Sequence, residues 1–129
     1  MTAESHYLDA LEALEADDRE EALLHARKAI KLDSEHADAW RIISDASLPG
    51  LRKQPTLKQA ASSLSAAKKV VALQPDDLAM WVRGGRLLSD ELGLYMDALQ
   101  WWQDARHLAP EEVTPIVEQA AILADMGLY

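Results

Sequence analysis

The sequence predicts an all-α fold, a solenoid of about three helix-turn-helix pairs followed by a closing helix. Composition is the first reason: Ala and Leu dominate, Phe is absent and β-branched residues are few, and unbranched side chains lose little entropy in a helix. Periodicity is the second. Ala22, Leu23, Ala26, Ala29 and Ile30, and again Ala98, Leu99, Trp102 and Ala105, form stripes at helical spacing that must face a neighbouring helix. The third is internal repetition. The segments Ala29-Ile30-Lys31-Leu32-Asp33-Ser34, Val70-Val71-Ala72-Leu73-Gln74-Pro75 and Ala105-Arg106-His107-Leu108-Ala109-Pro110 end alike, at spacings of 41 and 35 residues, and Trp40 and Trp81 repeat the 41. Repetition at this period points to stacked helical pairs.

The elements follow in order. Helices are expected at 3–16, 19–32, 37–47, 56–73, 77–91, 95–108 and 114–126. Asp17-Asp18 separates the first two. Thr56-Leu57-Lys58-Gln59 has the capping-box form, in which the Thr hydroxyl accepts from a helix-start amide and Gln reaches back. Gly93-Leu94-Tyr95 supplies a turn at which Gly takes the left-handed conformation that ends a helix. Thr114-Pro115 opens the last helix with Pro at the first position, where its missing N–H costs nothing. One pair alone would leave its apolar stripe wet, so the 129 residues are expected to fold as one domain, 1–129.

The third pair resembles the tetratricopeptide repeat (TPR) family, whose pattern is Trp-x2-Leu-Gly-x2-Tyr, then Ala-x3-Phe, then Pro. Trp81, Gly85 and Leu88 fill its first helix and Ala98, Trp102, Ala105 and Pro110 its second, with Gly84 in place of the motif Leu and Leu88 in place of the motif Tyr. Trp81, Gly85, Ala98, Trp102 and Ala105 are read as core: small residues let helices approach while tryptophans fill the space between them. The second pair matches through Trp40, Ile43, Ser44, Ser63, Ala67, Val70 and Pro75, and carries an insertion at 48–55 with Pro-Gly turn chemistry. The first keeps Ala22, Ala26, Ala29 and Ser34 but has no Trp or Gly in its first helix. The resemblance implies a right-handed TPR-like solenoid with units at 3–34, 37–75 and 77–110 and a closing helix at 114–126. The end, Ile122-Leu123-Ala124-Asp125-Met126-Gly127-Leu128-Tyr129, echoes Leu88 to Tyr95. It reads either as a cap or as the place where a longer array has been cut, and the echo favours the second.

Charge narrows the partners. A formal charge of -9 is repelled by phosphate backbones and anionic lipid surfaces, so neither nucleic acid nor membrane is expected. No apolar stretch approaches the ~20 residues that span a bilayer. Glu4 and Asp9 stand where a secretory signal would be basic and then apolar, which gives a cytoplasmic reading. Catalysis and cofactors are not expected. His6, His25, His36 and His107 lack the i, i+4 pairing of a helical zinc site, there is no Cys to complete a structural one, and each His is read as a surface residue. The acidic groups at Asp33 and Glu35, Asp76-Asp77 and Glu111-Glu112 recur just before the first helix of the next pair, where carboxylates meet unpaired amides.

The resemblance implies a groove lined by the first helices of successive pairs that holds a peptide or partner protein. With Trp40 and Trp81 facing the core, Arg41, Ile42 and Asp45, and Val82, Arg83 and Arg86, are expected to point into it. The three arginines suit an acidic peptide or a terminal carboxylate, which Arg grips bidentately; pairing with Asp38, Asp45 and Asp90 on the same surface is the alternative. The Lys, Arg and Asn clamp of chaperone-tail binders is not matched, since the chain contains no Asn. Arg52 and Lys53 of the insertion and Trp101, adjacent to Trp102, are candidate surface contacts; for Trp101 the other reading is packing against the final helix near Ile116 and Ala120. A self-assembling scaffold that stacks through its repeat ends, as a homo-oligomer, is the competing function.

Overall fold

The computed structural model describes residues 2–50 and 53–127. Seven α-helices run through the described residues: α1 (Ala3–Glu15), α2 (Arg19–Leu32), α3 (Ala37–Ser47), α4 (Leu57–Leu73), α5 (Leu78–Arg86), α6 (Tyr95–Leu108) and α7 (Thr114–Asp125). Consecutive helices pack on one another, and α1 and α3 also touch, as successive first helices do in a stack of pairs.

Local chemistry sets most boundaries. Thr2 and Thr56 open α1 and α4 with complete capping boxes, in which Ser5 and Gln59 answer the threonine hydroxyls. Asp18 caps α2 through the Glu21 amide, and Asp77 caps α5 through the Met80 amide at 3.2 Å. At α3 the acidic reading gives way: Asp33 accepts from the Glu35 amide within the turn, and the cap is His36, whose Nδ1 accepts from the Ala39 amide at 3.1 Å. His36 Nε2 then faces Glu4 Oε2 at 2.9 Å, which ties α3 to α1. His36 is therefore a structural joint and not a free surface group.

The repeat is visible in hydrogen bonds as well as in sequence. Trp40 Nε1 donates to the Ser34 carbonyl and Trp81 Nε1 to the Pro75 carbonyl, each at 2.8 Å and each six residues back. The two indoles thus lock equivalent turns. Trp40 also packs against both halves of the core, one built on Ala10, Ala22, Ala26, Ile42, Ile43 and Ala46, the other on Leu64, Val70, Met80, Trp81, Trp101 and Trp102. Between α3 and α4 the fully buried Ser44 and Ser63 exchange hydroxyl-to-carbonyl bonds, at 3.0 and 2.8 Å. Alanine-lined and serine-lined faces let these helices approach closely without orphaned polar atoms.

Two departures from the sequence reading concern α5 and α6. The helix expected over 77–91 is α-helical only to Arg86 and continues as a π-helical turn, Leu87–Glu91, in which the Leu92 amide donates to the Leu87 carbonyl. The Ser89 hydroxyl takes the Gly85 carbonyl at 2.9 Å. The wider turn shifts the helical phase so that Leu87 and Leu88 are both buried. Gly93, at φ +64, then reverses the chain.

The second departure is Trp101. Two adjacent residues of a helix cannot ordinarily both face inward, yet Trp101 and Trp102 are 7% and 1% exposed. The reason is the glycine pair opposite: a Cβ on Gly84 would meet the Trp101 ring, and one on Gly85 the Trp102 ring, within 3.0 Å. Each glycine opens a slot for one indole. Trp101 lies edge-on to Trp81, ring centroids 4.8 Å apart, and donates its Nε1–H to the Trp81 carbonyl at 2.8 Å. Ile116 and Ala120 are exposed on α7, and the buried α7 residue in the same core cluster as Trp101 is Ile122.

Candidate interaction groove

The C-terminal end of α3 and the start of the 48–55 insertion stand over α5. Ser47 Oγ closes the helix on the Ile43 carbonyl at 2.6 Å, and Arg19 Nη1 reaches from α2 to the carbonyls of Asp45 and Leu48, both at 2.8 Å. Those donors satisfy helix-end carbonyls and fix the insertion's first residues. The result is a cleft of about 560 Å³ bordered by Leu14, Arg19, Leu48, Lys53, Leu87 and Glu91. A second depression of about 390 Å³, lined by Val82, Arg83, Arg86, Leu87 and Asp90, shares Leu48, Arg83, Leu87 and Glu91 with it, so the two form one continuous surface.

The expected groove residues divide. Val82, Arg83 and Arg86 line this surface, and Asp45 borders it beside Arg83. Ile42 does not: it is 4% exposed and packs in the core with Ala10 and Ala22, because α1 and α2 lie against that face of α3. Arg41 is not among the lining residues. Its guanidinium bridges α3 to the start of α5, donating to Asp77, to Gln74 Oε1 at 2.9 Å and to Asp38 at 2.5 Å. Burial acts to lower its pKa, but the hydrogen bonds it donates to Asp77 and Asp38, with their negative charge, outweigh this and hold it above the ordinary arginine value. Asp77 therefore caps α5 with one oxygen and receives Arg41 with the other.

Arg83 pairs with Asp45 in the reverse direction, from α5 to α3. Two of the three arginines are thus staples between successive first helices. Their bases face carboxylates of this chain, as the same-surface alternative required, though Asp77, read from sequence only as a cap, takes the place of Asp90. Arg86 is exposed and forms no ion pair among the described residues. Lys53 is exposed at the rim; Arg52 lies outside the described residues. Leu87 and Arg19 had no signal in the sequence, and Leu48 only as the start of the insertion, since the π-helical turn and the α3 terminus that place them are tertiary features.

On the opposite side, a cleft of about 530 Å³ lies between α4 and α6, with Trp81 and Trp101 in its floor and Lys68, Val71 and Leu108 around it. Trp101 is buried there and not a free surface contact. Val113, just before α7, and Ile116 and Val117 on it are more than half exposed. No helix of the described residues is long and apolar enough to cross a membrane.

No protein-family model and no curated protein matches the chain. Among solved structures it is similar to the TPR domain of Arabidopsis OM64, with a TM-score of 0.63 and 18% identity over 93% of each chain. At that identity the likeness is one of architecture, and with the repeated tryptophan locks and paired helices it shows that the chain has the all-α repeat fold of a TPR domain.

Proposed function

We propose that the chain is a non-catalytic protein–protein interaction module, a single TPR-like domain of units 3–34, 37–75 and 77–110 with a closing helix, that takes a partner peptide on the surface between α3, α5 and the insertion. The observation that carries the reading is the continuous cleft itself. It offers apolar side chains, Leu48, Val82 and Leu87, beneath two exposed cations, Arg86 and Lys53. An apolar floor with a few charges at the rim is how peptide sites combine affinity and orientation. Because Arg41 and Arg83 are engaged internally, preference for an acidic ligand falls to Arg86 and Lys53. Arg41, Asp45 and Arg83 shape the groove.

A library of fluorescent peptides, each with one apolar anchor and a varied number of acidic residues, tests this by anisotropy. Peptides selected on the wild type are expected to bind at least ~10-fold more weakly to Arg86→Glu and to Val82→Asp, and unchanged to Lys28→Glu, an exposed residue of α2 outside the cleft. Equal binding by all four proteins would sink the proposal.

A second reading has its own observation. The exposed Val113, just before α7, and Ile116 and Val117 on it form an apolar strip at the end of the stack, which suits a second copy of the chain. Sedimentation at rising concentration is expected to show a dimer that Val117→Glu removes; a monomer at every concentration would refute it.

A further inference from the structure

The first helical pair brings together groups that the sequence keeps apart. His6 and Asp9, three residues apart, share one face of α1, and His25 meets them from α2. All three are half-buried, and each offers a ligand atom such that all three atoms lie within 4.8 Å of one another. We propose that His6, Asp9 and His25 form a binding site for a divalent transition-metal ion of borderline softness, with Zn²⁺ the best fit. The site clips α1 to α2.

Three features argue for it. The donor set is two imidazoles and one carboxylate, which suits zinc and not Ca²⁺ or Mg²⁺, whose sites need oxygen ligands in greater number. Ligands about a tetrahedral zinc stand roughly 3.3 Å apart, so side-chain rotations of about 1 Å close the site.

The second feature is an orphaned pair of nitrogens. His6 Nδ1 and His25 Nδ1 are buried and have no hydrogen-bond partner. Buried polar atoms in folded proteins are nearly always satisfied, and a cation shared by the two rings would satisfy both.

The third lies behind the ring of His25. Its Nε2 stands 3.3 Å from Glu21 Oε2, close enough for the carboxylate to favour a proton on Nε2 and so a free lone pair on the buried, unpartnered Nδ1. Carboxylates set behind metal-binding imidazoles act in this way, fixing the tautomer and raising basicity. With neutral rings the three ligands carry the single negative charge of Asp9, which draws in a dication. The location also has a use: α1 and α2 meet through Ala10, Ala22 and Ala26 with Tyr7, Leu11, Leu14 and Leu23 packed around them, and a metal bridge would add to that seam.

The test uses the full chain stripped with a chelator and titrated with Zn²⁺ alone. Calorimetry is expected to show one saturable site, and melting to move upward with Zn²⁺ but not with Ca²⁺ or Mg²⁺. Co²⁺ in place of Zn²⁺ is expected to give the intense visible bands of four-coordination. His25→Ala and Asp9→Asn are each expected to weaken binding by more than ~10-fold, Glu21→Gln by about 10-fold, and His107→Ala, an exposed residue of α6, not at all. Circular dichroism of the metal-free variants separates lost ligands from lost fold. If His25→Ala does not fold, Asp9→Asn and Glu21→Gln with the Co²⁺ spectrum decide the matter. The absence of a saturable Zn²⁺ site, a pale six-coordinate Co²⁺ spectrum, or affinity unchanged in folded Asp9→Asn would each overturn the assignment.

Discussion

Replacing Gly84 with Ala reverses the sign usually seen when a helical glycine becomes alanine. The helix itself gains, since Ala in place of Gly inside a helix is worth ~0.5–1 kcal/mol. Against this, the new Cβ would stand within 3.0 Å of three Trp101 ring atoms, where carbon atoms need about 3.5–4.0 Å. The ring cannot yield. It is 7% exposed, its Nε1–H is bonded to the Trp81 carbonyl at 2.8 Å, and its edge meets Trp81. Overpacking of a fixed core costs ~1–3 kcal/mol, so the net effect is a loss of about 1–2 kcal/mol. In a Trp101→Leu background the obstruction is gone, and the same Gly84→Ala change should stabilise by the ~0.5–1 kcal/mol of helix propensity. Urea denaturation of the four proteins, followed by far-UV circular dichroism, closes a double-mutant cycle with an expected coupling of about 2 kcal/mol. A Gly84→Ala protein more stable than wild type, or a coupling below ~0.5 kcal/mol, would refute the slot.

Three further outcomes follow from other contacts. Asp77→Asn should keep the α5 cap and lose only the Arg41 pairing, whereas Asp77→Ala loses both, so denaturation should place Ala about 1 kcal/mol below Asn. Ser63→Ala alone should cost ~1 kcal/mol by removing the hydroxyl that donates to the Ser44 carbonyl, while the Ser44→Ala, Ser63→Ala double variant should cost less than the sum of the two single changes, because each single change already loses the contact between the two hydroxyls. Arg19→Ala removes both donors to the α3 end and should cost about 1.5–3 kcal/mol, with hydrogen exchange accelerated first around Asp45 to Leu48.

How far the sequence reaches is clearest residue by residue. Thr56 and Gln59, Thr114-Pro115 and Gly93 act within a few residues of themselves, so their patterns gave α4, α7 and the α5–α6 turn directly. Trp40 and Trp81 carried the repeat for the same reason: each bonds a carbonyl six residues away. Arg86 and Val82 line the cleft because helical phase alone aims them there. Ile42 is buried instead, since α1 and α2 cover its side of α3 and no local pattern records that burial.

The sequence by itself determined helix, period and the caps of α1, α2, α4 and α5, but not the His36 cap of α3; these are short-range consequences of torsional preference and local hydrogen bonding. Tertiary structure decided the rest: that Trp101 enters the core through a glycine slot, that Arg41 and Arg83 join helices instead of facing a ligand, and that His6 and Asp9 meet His25. Such meetings depend on the distance and rotation at which helices pack, which the summed interaction of many side chains sets and no single stretch of sequence contains.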